Sequence, residues 1–155
     1  MLTPKWQQRF MELAVHSASW SKDPSTQVGC VIVDAEKHIL STGYNGFPRG
    51  VHDAAAIYQD RPIKHLRVVH AEANAVAAAS RHGVSLMGSI VFTTFPCCAQ
   101  CAALLIQAGV DTVYFERGRE LRADWEASAR EASALFLEAD VVYKPYEPHC
   151  QPHEP

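Results

Sequence analysis

His70-Ala71-Glu72 and, 26 residues after Glu72, Cys98-Ala99-Gln100-Cys101 hold the residue types with the most chemistry in this chain. An imidazole and two thiolates form a zinc ligand set, and three protein ligands leave the fourth tetrahedral position open for water. Cys98 and Cys101 are three apart, so at a helix start both sulfurs lie on one side and reach one ion. The partial positive charge of a helix N-terminus favours the thiolate forms that a metal requires. Zn²⁺ bound by such a set lowers the pKa of its water toward about 7. Glu72 lies roughly 200° round a regular helix from His70, a poor position for a further ligand. It is better placed as the general acid and base that moves the water's proton. Alone, a C-x-x-C would equally suit a structural zinc half-site or a redox pair. A structural zinc site would normally supply four protein ligands, and only three form a tight group here.

These residues need elements to bring them together. Thr3-Pro4 reads as an N-cap and first helical residue, and Trp6, Phe10, Leu13, Ala14, Ser17 and Trp20 follow helical spacing as a buried aromatic stripe. Val28 to Val33 is apolar on both faces, as in a strand covered on both sides. Asp34 to Lys37 turns the chain, and His38 to Thr42 returns as the hairpin partner. A long connection from Gly43 to Val69 has the character of a binding loop. A second helix is predicted from His70 to His82, ending at Gly83, and a third from Cys98 to Ala108 with Gly109 as its cap. Strands are predicted over Ser89–Thr93, Asp111–Phe115 and Val141–Lys144. Leu121, Trp125, Ser128, Ala132, Leu135 and Phe136 mark a fourth helix. A hairpin followed by strand–helix alternation implies a mixed sheet with helices on both faces. Residues 1–144 then form one domain, and the proline-containing stretch 145–155 a loose tail.

Composition narrows the function. The 155 residues are 48% hydrophobic and 20% charged, enough for one domain with a sizeable core. The longest apolar runs fall far short of a membrane span, and the N-terminus lacks a signal-peptide layout. A net charge of −3, with no basic aromatic stripe, disfavours nucleic acid as the main partner. Three of the five cysteines lie in Cys97-Cys98-x-x-Cys101, which suits metal ligation in a reducing compartment, the cytoplasm by default.

Together and in this order, H-x-E and C-x-x-C match the H-x-E…P-C-x-x-C signature of zinc nucleobase deaminases. Beyond it, Ser21-Lys22-Asp23-Pro24-Ser25-Thr26-Gln27-Val28-Gly29 and Gly43-Tyr44-Asn45-Gly46-Phe47-Pro48-Arg49-Gly50 resemble the deoxycytidylate (dCMP) deaminase family. So does the run from Cys101-Ala102 through Ile106-Gln107-Ala108-Gly109-Val110. The resemblance spans about residues 5 to 116. It implies an α/β protein with the three-layer α/β/α cytidine deaminase-like fold and a mixed five-stranded sheet. It also implies zinc-dependent hydrolysis of dCMP to dUMP and ammonia, supplying dUMP for thymidylate synthesis.

Residue by residue, the resemblance implies His70, Cys98 and Cys101 on Zn²⁺, with Glu72 as proton shuttle. It implies Asn45 on the deoxyribose and the backbone around Ala71 on the base. Lys22, Ser25 and Thr26 become phosphate candidates, although a capped polar loop would use the same residues. Many members are homo-hexamers regulated by dCTP and dTTP through the loop that here carries Gly43, Tyr44, Gly46 and Arg49. A deaminase of dCTP, cytidine or 5-modified dCMP, and a silent nucleotide-binding regulatory subunit, are the competing readings. The presence of Glu72 argues against the last.

The chain departs from the family pattern at three places. Pro96 precedes Cys97 rather than Cys98. Either Cys97 stands in the proline's place and Cys98 binds, or Cys97 binds across an unusual spacing, since Cys97 and Cys101 also share a helix face. C-x-x-C is the commoner zinc geometry and favours Cys98. Secondly, the segment 43–69 has no cysteine for the second, structural zinc of some members, and His52, Asp53 and His65 read as scattered surface residues. Thirdly, the region from Glu116 onward does not match a typical ending. There Arg117 and Arg119 either bind a 5′-phosphate or pair with Glu116 and Glu120, and His149, Cys150 and His153 suit only adventitious metal.

Overall fold

The chain was analysed as a computed structural model that describes residues 2–116, 118 and 121–147, the side chain of Asp124 excepted. Arg117, Arg119, His149, Cys150 and His153 therefore lie outside the described residues.

Alternation sets the layers. In β1 (Gly29–Val33), Cys30 and Ile32 enter one core cluster while Val31 and Val33 enter another, as period-two geometry requires of a strand buried on both faces. β2 (Ile39–Tyr44) and β3 (Ile90–Thr93) flank β1, both antiparallel to it. β4 (Thr112–Glu116) and β5 (Val142–Tyr146) then add in parallel, giving the order β2-β1-β3-β4-β5. This is the expected mixed five-stranded sheet. α1 (Pro4–Ala18) covers one face through Phe10, Met11 and Ala14, packed on Val31, Val33 and Phe92. The other face carries α4 (Ala71–Arg81), α5 (Ala99–Gln107) and α6 (Ala123–Glu138), with Ala75, Leu105 and Phe136 against Ile32, Val91 and Val113.

Several bounds shift by a residue or two, and four departures from expectation have an identifiable physical reason. α1 ends at Ala18, so Trp20 is not part of the buried stripe; it is 47% exposed and meets Tyr44 edge-on at 5.9 Å. β2 runs on through Gly43 because the missing side chain lets the strand lie directly on α4. A Cβ there would collide with the Ala71 carbonyl and the Ala75 amide. The connection 43–69 is not a continuous loop, since it contains α2 (Ala55–Gln59) and α3 (Arg61–Arg67). The Asp60 side chain caps α3 by accepting from the Ile63 amide at 3.2 Å, and Pro62 lies in its first turn. Lastly, β5 continues past Lys144 to Tyr146, beyond the domain limit expected at 144. Pro145 sits opposite Phe115 without penalty because β5 is an edge strand that needs partners on one side only. Among the described residues, no helix is long and apolar enough to cross a membrane.

Candidate metal centre and active-site cavity

Two helix N-termini converge on one point. His70 caps α4 and Cys98 caps α5, both with extended backbone, and the His70 Nδ1 atom lies 3.4 Å from the Sγ atoms of Cys98 and Cys101. The three ligand atoms lie within 4.8 Å of one another, close enough to share one ion. Cys98 Sγ also accepts from the Cys101 amide at 3.4 Å, so an orphan donor of the first turn points at the sulfur.

The electrostatics suit a soft divalent metal. A hydrogen bond from Cys101 outweighs burial and, with His70, pulls the Cys98 thiol down to about 4. The same bond, joined by burial, pushes Cys101 up, and the bond to Cys98 raises His70 despite its burial. The cluster thus favours the thiolate form of Cys98. Zn²⁺ displaces ligand protons on binding. One half-buried imidazole that lines the cavity and two buried sulfurs fit zinc better than a hard cation such as Mg²⁺.

Glu72, in the first turn of α4, is buried, and one of its oxygens is held by the Thr93 hydroxyl of β3 at 2.9 Å. Burial lifts its carboxyl above the usual value, opposed by its own amide, His70 and Thr93. Because His70 precedes the helix proper, the regular helical angle between the two residues does not apply. Both side chains line the same cavity. Cys97 is not among the grouped ligand atoms: its buried sulfur lies 3.8 Å from Glu72 Oε1, and burial holds it well above an ordinary thiol. Among the described residues, the grouped ligands are His70, Cys98 and Cys101.

The cavity, about 830 Å³, is walled by the loop Asp23–Thr26, by α3, and by Phe95, Pro96, Arg122 and Trp125. Asn45 also lines it. Its Oδ1 accepts from the Val28 amide (2.8 Å) and its Nδ2 donates to the Thr26 carbonyl (2.8 Å), so the amide shapes this wall. Ser25 and Thr26 reach the cavity, but the Ser25 hydroxyl donates to Asp23 (2.8 Å) and accepts from Lys64 (2.6 Å). Lys22 is elsewhere, exposed and paired with Asp53 at 2.8 Å. Ala71 is buried in the core at the first turn of α4. Of the loop 43–50, Gly43 and Gly46 are buried, while Tyr44 and Arg49 are exposed.

Arg61 and Lys64, not singled out in the sequence, and His65, read there as a scattered surface residue, lie on the cavity wall together with Arg122, which the sequence also did not single out. The Asp60-Arg61-Pro62 helix start was the signal for the first three. Lys64 is buried against Asp23 (2.6 and 2.8 Å) and clamps α3 to the loop at 23–26. Burial would raise the Asp23 carboxyl, but Lys64 and Ser25 together hold it below its ordinary value. Lys64→Met leaves that carboxylate buried without its cation, a change that costs about 3–5 kcal/mol. Urea unfolding at about pH 7 measures it. A carboxyl depressed in the fold stabilises above its unfolded pKa, and this contribution is lost as pH falls through the folded value. The gap between wild type and variant therefore narrows below the ordinary Asp range. A loss under about 1 kcal/mol would show the pair to be no more than a surface bridge.

Comparison with known proteins agrees with this geometry. The family model for the cytidine and deoxycytidylate deaminase zinc-binding region matches residues 4–117. A probable deoxycytidylate deaminase of Caenorhabditis elegans is 40% identical over 153 residues, covering 97% of this chain and 73% of that protein. Human deoxycytidylate deaminase is 34% identical over 151 residues, covering 94% and 82%. The crystal structure of dCMP deaminase from the cyanophage S-TIM5, in complex with dCMP and dUMP, superposes with a TM-score of 0.74 at 24% identity. That match covers 94% of this chain and 99% of the phage chain. The chain belongs to the cytidine and deoxycytidylate deaminase zinc-binding family.

Proposed function

We propose that the protein hydrolyses dCMP to dUMP and ammonia, with zinc held by His70, Cys98 and Cys101 and with Glu72 as proton carrier. The observation that carries the reading is a single cavity with His70 and Glu72 on one wall and Arg61, His65 and Arg122 on others. The names of the C. elegans and human relatives support the substrate.

Zinc in this ligand set makes water a competent nucleophile toward C4 of the cytosine ring at neutral pH. The chain's own residues do the rest. Glu72, ionised, takes the water's proton and delivers it to N3; the second proton goes to the exocyclic nitrogen, and C4–N cleaves to release ammonia. A carboxyl raised above its ordinary value suits a group that both accepts and returns a proton. Thr93 keeps one carboxylate oxygen fixed during these transfers. Asn45, through the wall it shapes, and the backbone at Ala71 border the sugar and base.

The phosphate assignment moves. Ser25 and Thr26 remain at the cavity, whereas Lys22 is engaged by Asp53 outside it. Arg61 and Arg122 are the better-placed strong cations for a 5′-phosphate. In an ammonia-release panel of dCMP, dCTP, cytidine and deoxycytidine, dCMP should be the best substrate. Arg61→Ala or Arg122→Ala should raise KM for dCMP about 10–100-fold, the equivalent of a charged hydrogen bond, and leave deoxycytidine unaffected. Equal turnover of dCMP and deoxycytidine by the wild type removes the phosphate claim, and turnover of none of the four removes the enzyme. On the family resemblance we extend the proposal to a cytoplasmic homo-oligomer, hexameric and regulated by dCTP and dTTP through the loop carrying Tyr44 and Arg49.

A further inference from the structure

The metal-binding cysteines are held from outside their own helix. Three hydrogen bonds reach residues 96–99 from α6 and β5, elements C-terminal to the residues 4–117 that the family model matches. The Trp125 indole donates to the Pro96 carbonyl (3.3 Å), and the Ala99 amide donates to the Ser128 hydroxyl (3.0 Å). The Cys97 amide donates to the Tyr143 hydroxyl (3.0 Å).

The last of these has no counterpart in the P-C-x-x-C pattern. A proline directly before the first cysteine has no amide hydrogen, and its ring fixes φ near −65° without outside help. Here Cys97 occupies that position. It brings back a rotatable φ and a buried donor, and a buried donor without a partner costs stability and leaves the backbone free to move. Tyr143 answers both. Its ring is wedged between Phe115 and Phe136, with centroids 4.6 and 4.7 Å away, so the hydroxyl is presented from a rigid post. One residue further on, Cys98 must aim its sulfur at the point shared with His70.

We propose that Tyr143 is a positioning residue for the metal centre, replacing by a hydrogen bond to the Cys97 amide the backbone lock that a proline ring supplies in the P-C-x-x-C pattern. Ser128 assists by taking the Ala99 amide, the first orphan donor of α5. The inference rests on the zinc reading above, but its test needs no substrate.

The zinc-loaded protein is mixed with a chromophoric chelator and the rate of zinc release is followed. Tyr143→Phe, which removes one oxygen and keeps the ring, should release zinc about tenfold faster, the usual effect of losing a partner that orients a ligand. Turnover should show a lower kcat at unchanged KM. Cys97→Pro in the Tyr143→Phe background should restore slow release, because proline needs no acceptor. Since consecutive prolines can block folding, Ser128→Ala and Ser128→Thr give a second pair: the first speeds release and the second restores it. Phe10→Leu, which loosens the core on the opposite face of the sheet, is the control and should release zinc at the wild-type rate. Unchanged release in both Tyr143→Phe and Ser128→Ala overturns the inference, as does equally fast release from Phe10→Leu. A protein that holds no zinc at all overturns the deaminase reading and this inference together, whereas normal zinc with unchanged release overturns this one alone.

Discussion

Cys98→Ser protein should leave purification without zinc and without turnover, while Cys97→Ser keeps its metal. The two residues are neighbours in sequence, both buried, and both at helical spacing from Cys101, so spacing alone treats them nearly alike. Their surroundings do not. Cys98 caps α5, lies 3.4 Å from His70 Nδ1 and is pulled down to about 4, which makes it a thiolate at neutral pH. Cys97 sits in an apolar interior beside the Glu72 carboxyl, where burial pushes it far up and keeps the proton on sulfur. Metal ligation requires the deprotonated sulfur, and structural zinc peptides bind with about 10–16 kcal/mol at neutral pH. Losing one of three ligands is a large fraction of such an energy. Atomic absorption on protein isolated without chelator decides the matter, and zinc lost from Cys97→Ser but retained by Cys98→Ser would reverse the assignment.

Glu72→Gln and Glu72→Ala should both hold zinc at the wild-type level and lose about 10²–10⁴-fold in kcat. The carboxylate is not among the grouped ligand atoms, so its removal leaves the His70–Cys98–Cys101 set intact. Glutamine preserves size and an acceptor for the Thr93 hydroxyl, but it cannot pick up a proton at the water and release it at the ring. The comparison therefore separates shape from proton transfer. Glu72→Ala also empties a buried site, so some of its loss reflects packing. Turnover of Glu72→Gln within about tenfold of wild type would show that another group carries the proton, and the acid–base assignment would fall.

Much of this molecule was written in short-range pattern. The H-x-E and C-x-x-C spacings single out the candidate ligands His70, Cys98 and Cys101 and the neighbouring Glu72 because each motif sits at one helix start, a local feature of the chain. Period-two burial in Gly29–Val33 and helical spacing in Pro4–Ala18 likewise foretell the layers from neighbouring residues alone. What the sequence by itself left hidden depends on residues far apart in the chain. Lys64 and Asp23 are separated by 41 residues, and nothing in either segment announces that their charges meet at the cavity wall. Tyr143 and Cys97 are separated by 46, and only the parallel pairing of β4 with β5 brings that ring to the loop. Folding alone decides such pairings, because they depend on which faces of distant elements are buried together. Spacing named the residues able to grip a metal; the tertiary structure groups Cys98, rather than Cys97, with His70 and Cys101, placing Cys98 at a helix mouth and Cys97 beside the Glu72 carboxyl.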